Sequence, residues 1–386
     1  MNIVKVRNRP RIVVIYNRDF EGAESDPENK AREDVRDVAR DILRILVANG
    51  FEASDIGVTN DIAAAMSALI ALQPDAVFNL CESIHGDSRF EALMPLHLDL
   101  AGIAYTGSCS FGLALALRKE KVKDILRGCG VPVPCGGLVS SVAECAAFAL
   151  SLPAIVKPAR EDASVGICSA SVVKSPQALA RRVAHVLEHY RQPALVEQFI
   201  DGREIYVSVL ERVGQEPQVF PFFEIDFSDM PDELPKIVSF EGKWVEDSVE
   251  YKGTRPVRCE GLGAGLRATV AKTALDAFRA VSLRDYGRMD IRLSKDGIPY
   301  VIDVNPNCDL SDLAGGYSRA AKAAGLSYKE LILRISELAL SRRSGVVPLV
   351  KAAAAPEAVA APAEPSVAEA AAKGRAPAPR GGACPA

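Results

Sequence analysis

Gly287-Arg288-Met289-Asp290-Ile291-Arg292-Leu293, then Ser294-Lys295-Asp296-Gly297, then Pro299-Tyr300-Val301-Ile302-Asp303-Val304-Asn305, reads as two strands joined by a tight turn. Asp296-Gly297 supplies the positive φ that a hairpin reversal needs. Side chains alternate across a strand, so Met289, Ile291 and Leu293 are expected on one face with Tyr300, Ile302 and Val304. Arg288, Asp290, Asp303 and Asn305 then share the other face. Two carboxylates and an amide oxygen suit a hard, oxygen-preferring cation, magnesium before all others. Arg288 beside them suits a negative charge, on a phosphate or on a developing oxyanion. A half-buried hairpin with a polar outer face is common, so the weight falls on what accompanies it along the chain.

With 386 residues, the chain is long enough for two or three domains around substantial cores. Its hydrophobic content of 48% and charged content of 25% are ordinary for a globular protein. A net charge of −4 creates no field that would gather nucleic acid or an anionic membrane, so neither is an expected partner. Met1 to Pro10 is mixed polar and basic, unlike a signal peptide, and no apolar run is long enough to span a bilayer. The nine cysteines form no Cys-x-x-Cys pair and no zinc spacing, which favours reduced thiols in the cytoplasm.

Strands and helices alternate through the first hundred residues. Arg11 to Tyr16 suits a buried strand, Ala31 to Asn49 an amphipathic helix stopped by Gly50, Asp61 to Leu72 a second helix, and Ala76 to Phe78 a strand. Ser88 with Glu91 reads as a capping box for a helix ending at Gly102. An open α/β layer is the expected first domain, residues 1–112. A second unit, 113–193, should hold a helix from Leu113 to Arg127, strands Ala154–Lys157 and Ser169–Val173, and a helix capped by Ser175-Pro176. A third, 194–345, is strand-rich, carries the opening hairpin, and ends in a helix capped by Ser327 and Glu330. Residues 346–386 are rich in alanine and proline and read as a disordered tail without catalytic groups.

Several further side chains stand at telling points. Lys157 ends a strand and enters Pro158-Ala159-Arg160-Glu161-Asp162-Ala163-Ser164-Val165-Gly166, a loop small enough for backbone N–H groups to approach phosphate. The loop lacks the Walker spacing, and a plain hairpin loop with a solvated lysine is the equal alternative. Lys119 lies on a basic helix face of the kind that is usually just solvated. Lys243 adjoins Trp244, the only tryptophan, a pairing as often packing as function. Glu197 and Glu204 sit at strand ends, where carboxylates commonly face solvent but can also accept hydrogen bonds from a ribose or an amino group.

Together these pieces resemble the ATP-grasp superfamily, and within it the D-alanine–D-alanine ligases and their relatives, from about Phe78 to Leu340. The resemblance is carried by Tyr105-Thr106-Gly107-Ser108, by Pro153-Ala154-Ile155-Val156-Lys157-Pro158 with Ser164-Val165-Gly166, by Val196-Glu197-Gln198-Phe199-Ile200 with Gly202-Arg203-Glu204, and by Gly287-Arg288-Met289-Asp290 with Asp303-Val304-Asn305. It implies an α/β (α+β) three-part architecture with ATP between a small central lobe and a C-terminal lobe. It also implies that Lys119, Lys157 and Ser164 bind the ATP phosphates, that Lys243 belongs to a mobile loop over them, and that Glu197 and Glu204 bind adenine and ribose. Asp290, Asp303 and Asn305 would hold two magnesium or manganese ions. Arg288 would stabilise a tetrahedral intermediate, and His85 would face the first substrate, although a solvated loop imidazole reads equally well there.

The implied activity is ATP-dependent ligation of a carboxylate to an amine, on small amino-acid or peptide substrates, with room for a homodimer. The substrate side departs from the family. Tyr16-Asn17-Arg18-Asp19-Phe20 stands where the D-alanine ligases have a glycine-rich turn with a substrate-binding glutamate. Asp162-Ala163-Ser164 stands for the usual Gly-Ser-Ser, and Pro306-Asn307-Cys308 for a Pro-Gly and serine stretch. An aspartate beside phosphate is unfavourable unless it faces a cation. The rival readings are a genuine D-alanine–D-alanine ligase, a carboxylase-type relative for which no biotin or bicarbonate element is visible, and an inactive ATP-binding regulator. Arg288 argues against the last, since binding ATP and metal alone does not require it.

Overall fold

The computed structural model describes residues 9–18, 29–146, 148 and 150–343. The Ala/Pro-rich tail lies outside these residues, as do residues 19–28 of the acidic loop. Strands β1 (Arg11–Asn17), β2 (Glu52–Val58) and β3 (Ala76–Leu80) form a parallel sheet in the order β2-β1-β3. The run Ile12-Val13-Val14-Ile15 is buried because helices cover both faces. Ile12 and Val14 pack on Ile42 and Leu46 of α1 (Asn29–Ala48), while Val13 and Ile15 pack on α2 (Ile62–Leu72) and α3 (Leu93–Leu100). Asp61 caps α2 through Ala64 N at 2.9 Å. The expected capping box at Ser88 does not form. Asp87 accepts the Arg89 N–H and caps a short 3-10 turn over Ser88–Phe90, and Glu91 turns inward to Asn307.

The helix expected from Leu113 to Arg127 is broken at Leu117-Arg118 into α4 (Ser110–Ala116) and α5 (Lys119–Gly128). Next come β4 (Gly136–Val139), β5 (Ala154–Pro158), β6 (Val172–Val173), α6 (Pro176–His185) and β7 (Ala194–Gln198). Ser175 accepts from Ala178 N with Pro176 in the first turn of α6. The strand expected over 169–173 keeps only Val172–Val173, because Ser169–Ser171 winds into a 3-10 turn. These strands form an antiparallel sheet in the order β4-β7-β5-β6 with its own core, in which Val156, Val173 and Val196 meet Leu179 and Val183. The expected boundary at 193/194 therefore runs through this sheet, which extends to Gln198.

The large sheet contains β8 (Gly202–Arg212), β9 (Gln215–Val219), β10 (Phe223–Asp226), β11 (Arg255–Arg258), β12 (Tyr286–Ser294) and β13 (Pro299–Asn305) in the order β11-β10-β8-β12-β13, with β9 on β8. Short helices α7 (Phe240–Trp244) and α8 (Val249–Lys252) interrupt the strands, and α9 (Ala264–Ala280) packs against them. Val122 and Leu126 of α5 join this core through Val207, Met289 and Val301. By packing, α5 thus belongs to the large sheet and not to the central lobe where the sequence placed it. On the other side α10 (Gly316–Ala323) and α11 (Tyr328–Ser341) join Leu210 and Phe220 to Ile12, Val14 and Phe78 of the first sheet. Ser327 and Glu330 form the expected capping box on α11. No described helix is long and apolar enough to cross a membrane.

Asp285, fully buried, fastens these parts together. It accepts from Arg342 at 2.5 and 2.7 Å and from the Gly107 backbone at 2.8 Å. Removing the carboxylate leaves a half-buried guanidinium with the Tyr105 carbonyl but without its counter-charge. Asp285→Ala is expected to lower unfolding stability by about 3 kcal/mol in a denaturant titration.

Candidate active site

The hairpin that opened the sequence reading forms, with one change of phase. Arg288 lies opposite Asn305, Met289 opposite Val304 and Asp290 opposite Asp303, but Ile291 lies opposite Val301, so Ile302 is the extra residue of a β-bulge. Val304 enters the core beside Met289 and Ile291 as expected, but Val301 joins it there in place of Tyr300 and Ile302. Without the bulge, a strand that buries Pro299 and Val301 would bury Asp303 and Asn305 as well. The bulge turns Asp303 and Asn305 onto the face of Arg288 and Asp290, where all four line one cavity of about 700 Å³.

Each carboxylate of this pair carries a cation. Arg288 grips Asp290 with two bonds, 2.6 and 2.9 Å, and stacks 4.5 Å from the Tyr206 ring. Burial pushes the Asp290 carboxyl above its ordinary range, only partly offset by Arg288. Lys119, the first residue of α5, reaches both oxygens of Asp303 at 3.1 Å and Asp162 at 2.6 Å. Burial also acts on Asp303, but Lys119 and Lys157 outweigh it and hold that carboxyl low. Among the described residues no three His, Cys, Asp or Glu side chains converge as metal ligands. The oxygen set is two facing carboxylates with the Asn305 amide, a donor chemistry that fits magnesium or manganese once Lys119 and Arg288 give way.

Glu197 is 2% exposed and lies between two lysines, Lys123 at 3.0 Å and Lys157 at 3.2 Å. Burial alone would raise its pKa, and the two ammonium groups more than reverse that. Glu204 pairs with Arg292 at 2.8 Å and accepts from the Tyr206 hydroxyl at 3.1 Å. Lys123, Arg292 and Tyr206 were not singled out from sequence. A helical signal existed for Lys123, which lies one turn after Lys119 on the same face. Strand alternation likewise puts Arg292 on the face of Arg288 and Asp290.

The loop after Lys157 turns through two left-handed residues, Ala163 (φ 53°) and Ser164 (φ 64°). Such backbone costs about 1 kcal/mol or more per non-glycine residue and persists where neighbours hold it. Trp244 donates to the Ala163 carbonyl at 3.0 Å, and Ser164 donates to the Val238 carbonyl at 3.0 Å. Lys243, 5.0 Å over the Trp244 ring, thereby overhangs the cavity with this loop. Protein crowded around it, and then the Arg288 charge, push its ammonium below the ordinary lysine range.

At another end the cavity is acidic. Asn17 accepts from the backbone N–H of Glu82 at 2.6 Å and donates to the Ser83 carbonyl at 2.5 Å, which fixes the segment presenting Glu82. Glu82 lines the cavity at an exposed position, and the protein around it, with Asp309 and Asp162, raises its carboxyl above the ordinary value while Lys243 opposes. Glu91 is buried and raised well above its ordinary value. His85 is not brought into this arrangement. It is exposed in a left-handed turn (φ 57°) and does not line the cavity, whereas Glu82 and Glu91, for which no substrate role was expected, do.

A family model described as the D-ala D-ala ligase C-terminus matches residues 139–337. An uncharacterized protein of Sinorhizobium fredii, y4sG, is 36% identical over 269 residues, 70% of this chain and 76% of the relative. A D-alanine–D-alanine ligase of Marinobacter nauticus is 32% identical over 66% of this chain and 72% of its own length. Among solved structures, the D-alanine–D-alanine ligase of Bacillus anthracis complexed with ATP superposes with a TM-score of 0.65, at 23% identity over 88% of this chain and 99% of that one.

If Lys119 serves an ATP phosphate, as the resemblance implies, Asp162 at 2.6 Å competes for it. Asp162→Asn is then expected to lower the KM for ATP by up to about fivefold, the scale of a partly exposed ion pair. Steady-state kinetics at fixed metal concentration measures this.

Proposed function

The chain belongs to the D-alanine–D-alanine ligase family of ATP-grasp enzymes, ATP-dependent ligases that form C–N bonds, and from that premise we propose how its own residues divide the work. The observation that carries the reading is the convergence of Lys119, Lys157 and Lys243 with Arg288, Asp290, Asp303 and Asn305 on one cavity. A carboxylate is a poor acyl donor, since its leaving group would be oxide. Transfer of the γ-phosphoryl of ATP to a carboxylate oxygen yields an acylphosphate and ADP. Attack by an amine at the acyl carbon then forms the C–N bond and releases inorganic phosphate, with the amine losing a proton.

In this reading Lys119 and Lys157 leave their carboxylate partners for the nucleotide phosphates, and the Ala163-Ser164 turn supplies backbone donors beside them. Lys243, held by Trp244 over that turn, closes the phosphate end against water. Glu197 and Glu204 take the adenine and ribose. Asp290, Asp303 and Asn305 would hold magnesium or manganese, whose chemistry when bound is to neutralise charge on the transferring phosphoryl group. Arg288, partly buried and stacked on Tyr206, offers a positive charge for the oxyanion of the tetrahedral intermediate.

The substrates of this reading are small amino acids or peptides, and the acidic end with Glu82 and Asp309 suits the ammonium group of one of them. Asn17 and Asn307 support that end through backbone and side-chain bonds, and neither residue copies the D-alanine ligase pattern. A substrate pair other than two D-alanines follows. A central lobe of 129–198 and a large lobe of 199–343 joined by α5, with the first domain before them, form part of the same reading.

Two measurements test it. Phosphate release from ATP across a panel of amino acids and dipeptides, with product masses recorded, is expected to give a condensation product for a pair other than D-alanine with itself; release with no condensed product would contradict the ligase assignment. Arg288→Ala is expected to lower kcat by about 100-fold to 1,000-fold while nucleotide affinity stays within a few-fold of wild type. Equal loss of both would remove Arg288 from the oxyanion role.

A further inference from the structure

We infer that Lys123 is a positioning residue that locks the Ile302 bulge and thereby sets the orientation of Asp303 and Asn305. The inference rests on the ligase reading above but concerns a side chain to which that reading gives no task. Lys123 is 4% exposed, and its ammonium has three partners: the Val301 carbonyl at 3.0 Å, the Ile302 carbonyl at 2.9 Å and Glu197 at 3.0 Å. An ammonium has three protons, so this group is saturated and has none left for a ligand.

The two carbonyls are the informative partners. In a regular strand successive carbonyls point to opposite edges. Here two consecutive ones turn toward the same lysine on the outer edge of β13, where the Val301 N–H also donates to Pro132. That doubled outward turn is the bulge itself. Its extra residue gains no ladder bond from β12, and a buried carbonyl without a donor costs on the order of 1–3 kcal/mol. Lys123 supplies the missing donor. A strand relaxed to regular pairing would send Asp303 toward the apolar core, so the lysine holds in place the phase that makes an oxygen site. Its third bond, to Glu197, joins that phase to the nucleotide end of the cavity.

Lys123→Met in the full chain tests this, because methionine keeps most of the length and loses all three donors. Outer-shell partners of metal ligands typically contribute 10-fold to 100-fold in metal affinity. Manganese binding in the presence of ADP, followed by electron paramagnetic resonance, is expected to weaken by about tenfold or more. Hydrogen exchange at 299–305 should accelerate in parallel, with the remaining strands of the large sheet as protected as in wild type. Lys123→Arg keeps the charge beside Glu197 but cannot direct three donors from one nitrogen. It covers the case in which the methionine variant does not fold, and should weaken manganese binding several-fold. Wild-type manganese affinity in either folded variant, with only a lowered melting temperature, overturns the proposal. If the wild-type protein itself binds no manganese with ADP, the ligase reading fails instead, and the two failures are thus distinct.

Discussion

One extra residue in an edge strand decides whether this protein has a metal-competent face. β13 must bury Val301 and Val304, three positions apart, against Met289 and Ile291, and a two-residue repeat cannot do that. Ile302 takes up the difference as a bulge, and the same step that admits Val304 to the core expels Asp303 and Asn305 from it. Apolar packing and site chemistry are thus satisfied by one irregularity. The cost is a carbonyl turned out of the ladder, which a buried lysine offsets.

A second constraint is charge. Asp290, Asp303, Glu197 and Glu204 are each held by a lysine or arginine in close contact. Buried and part-buried carboxylates so near one another would otherwise repel or take up protons. In the proposed reading, polyphosphate draws off Lys119 and Lys157 as a divalent ion takes over the carboxylates, with little change in net charge. Arg292 and Lys123, the most enclosed of the basic groups, are structural by comparison, since their donors are committed to backbone and carboxylate acceptors.

Much of this was legible in the sequence because it depended on local chemistry. Alternation placed Asp290, and the Asp-Gly turn placed the hairpin. Ser175-Pro176 and Ser327 with Glu330 marked their helices through capping hydrogen bonds that span three residues. What escaped depended on contacts distant in the chain. The phase of β13 is set by a core that no local pattern reports, so strict alternation puts Tyr300 and Ile302 on the wrong face. Ser88 and Glu91 have the capping spacing, but Asn307, 216 positions away, takes the glutamate. Ala194–Gln198 pairs back to β4 and β5, across the boundary that the switch to strands after Pro193 suggests. His85 has the right neighbours in sequence yet projects outward, while Glu82 reaches the cavity because Asn17 pins its backbone.

The central claim is that a carboxylate is activated by phosphoryl transfer before an amine attacks it. Once the panel has identified a carboxylate substrate, labelling both of its oxygens with heavy isotope and weighing the released inorganic phosphate tests that claim directly. Phosphate carrying one labelled oxygen, donated by the carboxylate through the acylphosphate, is the expected result. Phosphate without label, alongside condensed product, would contradict it.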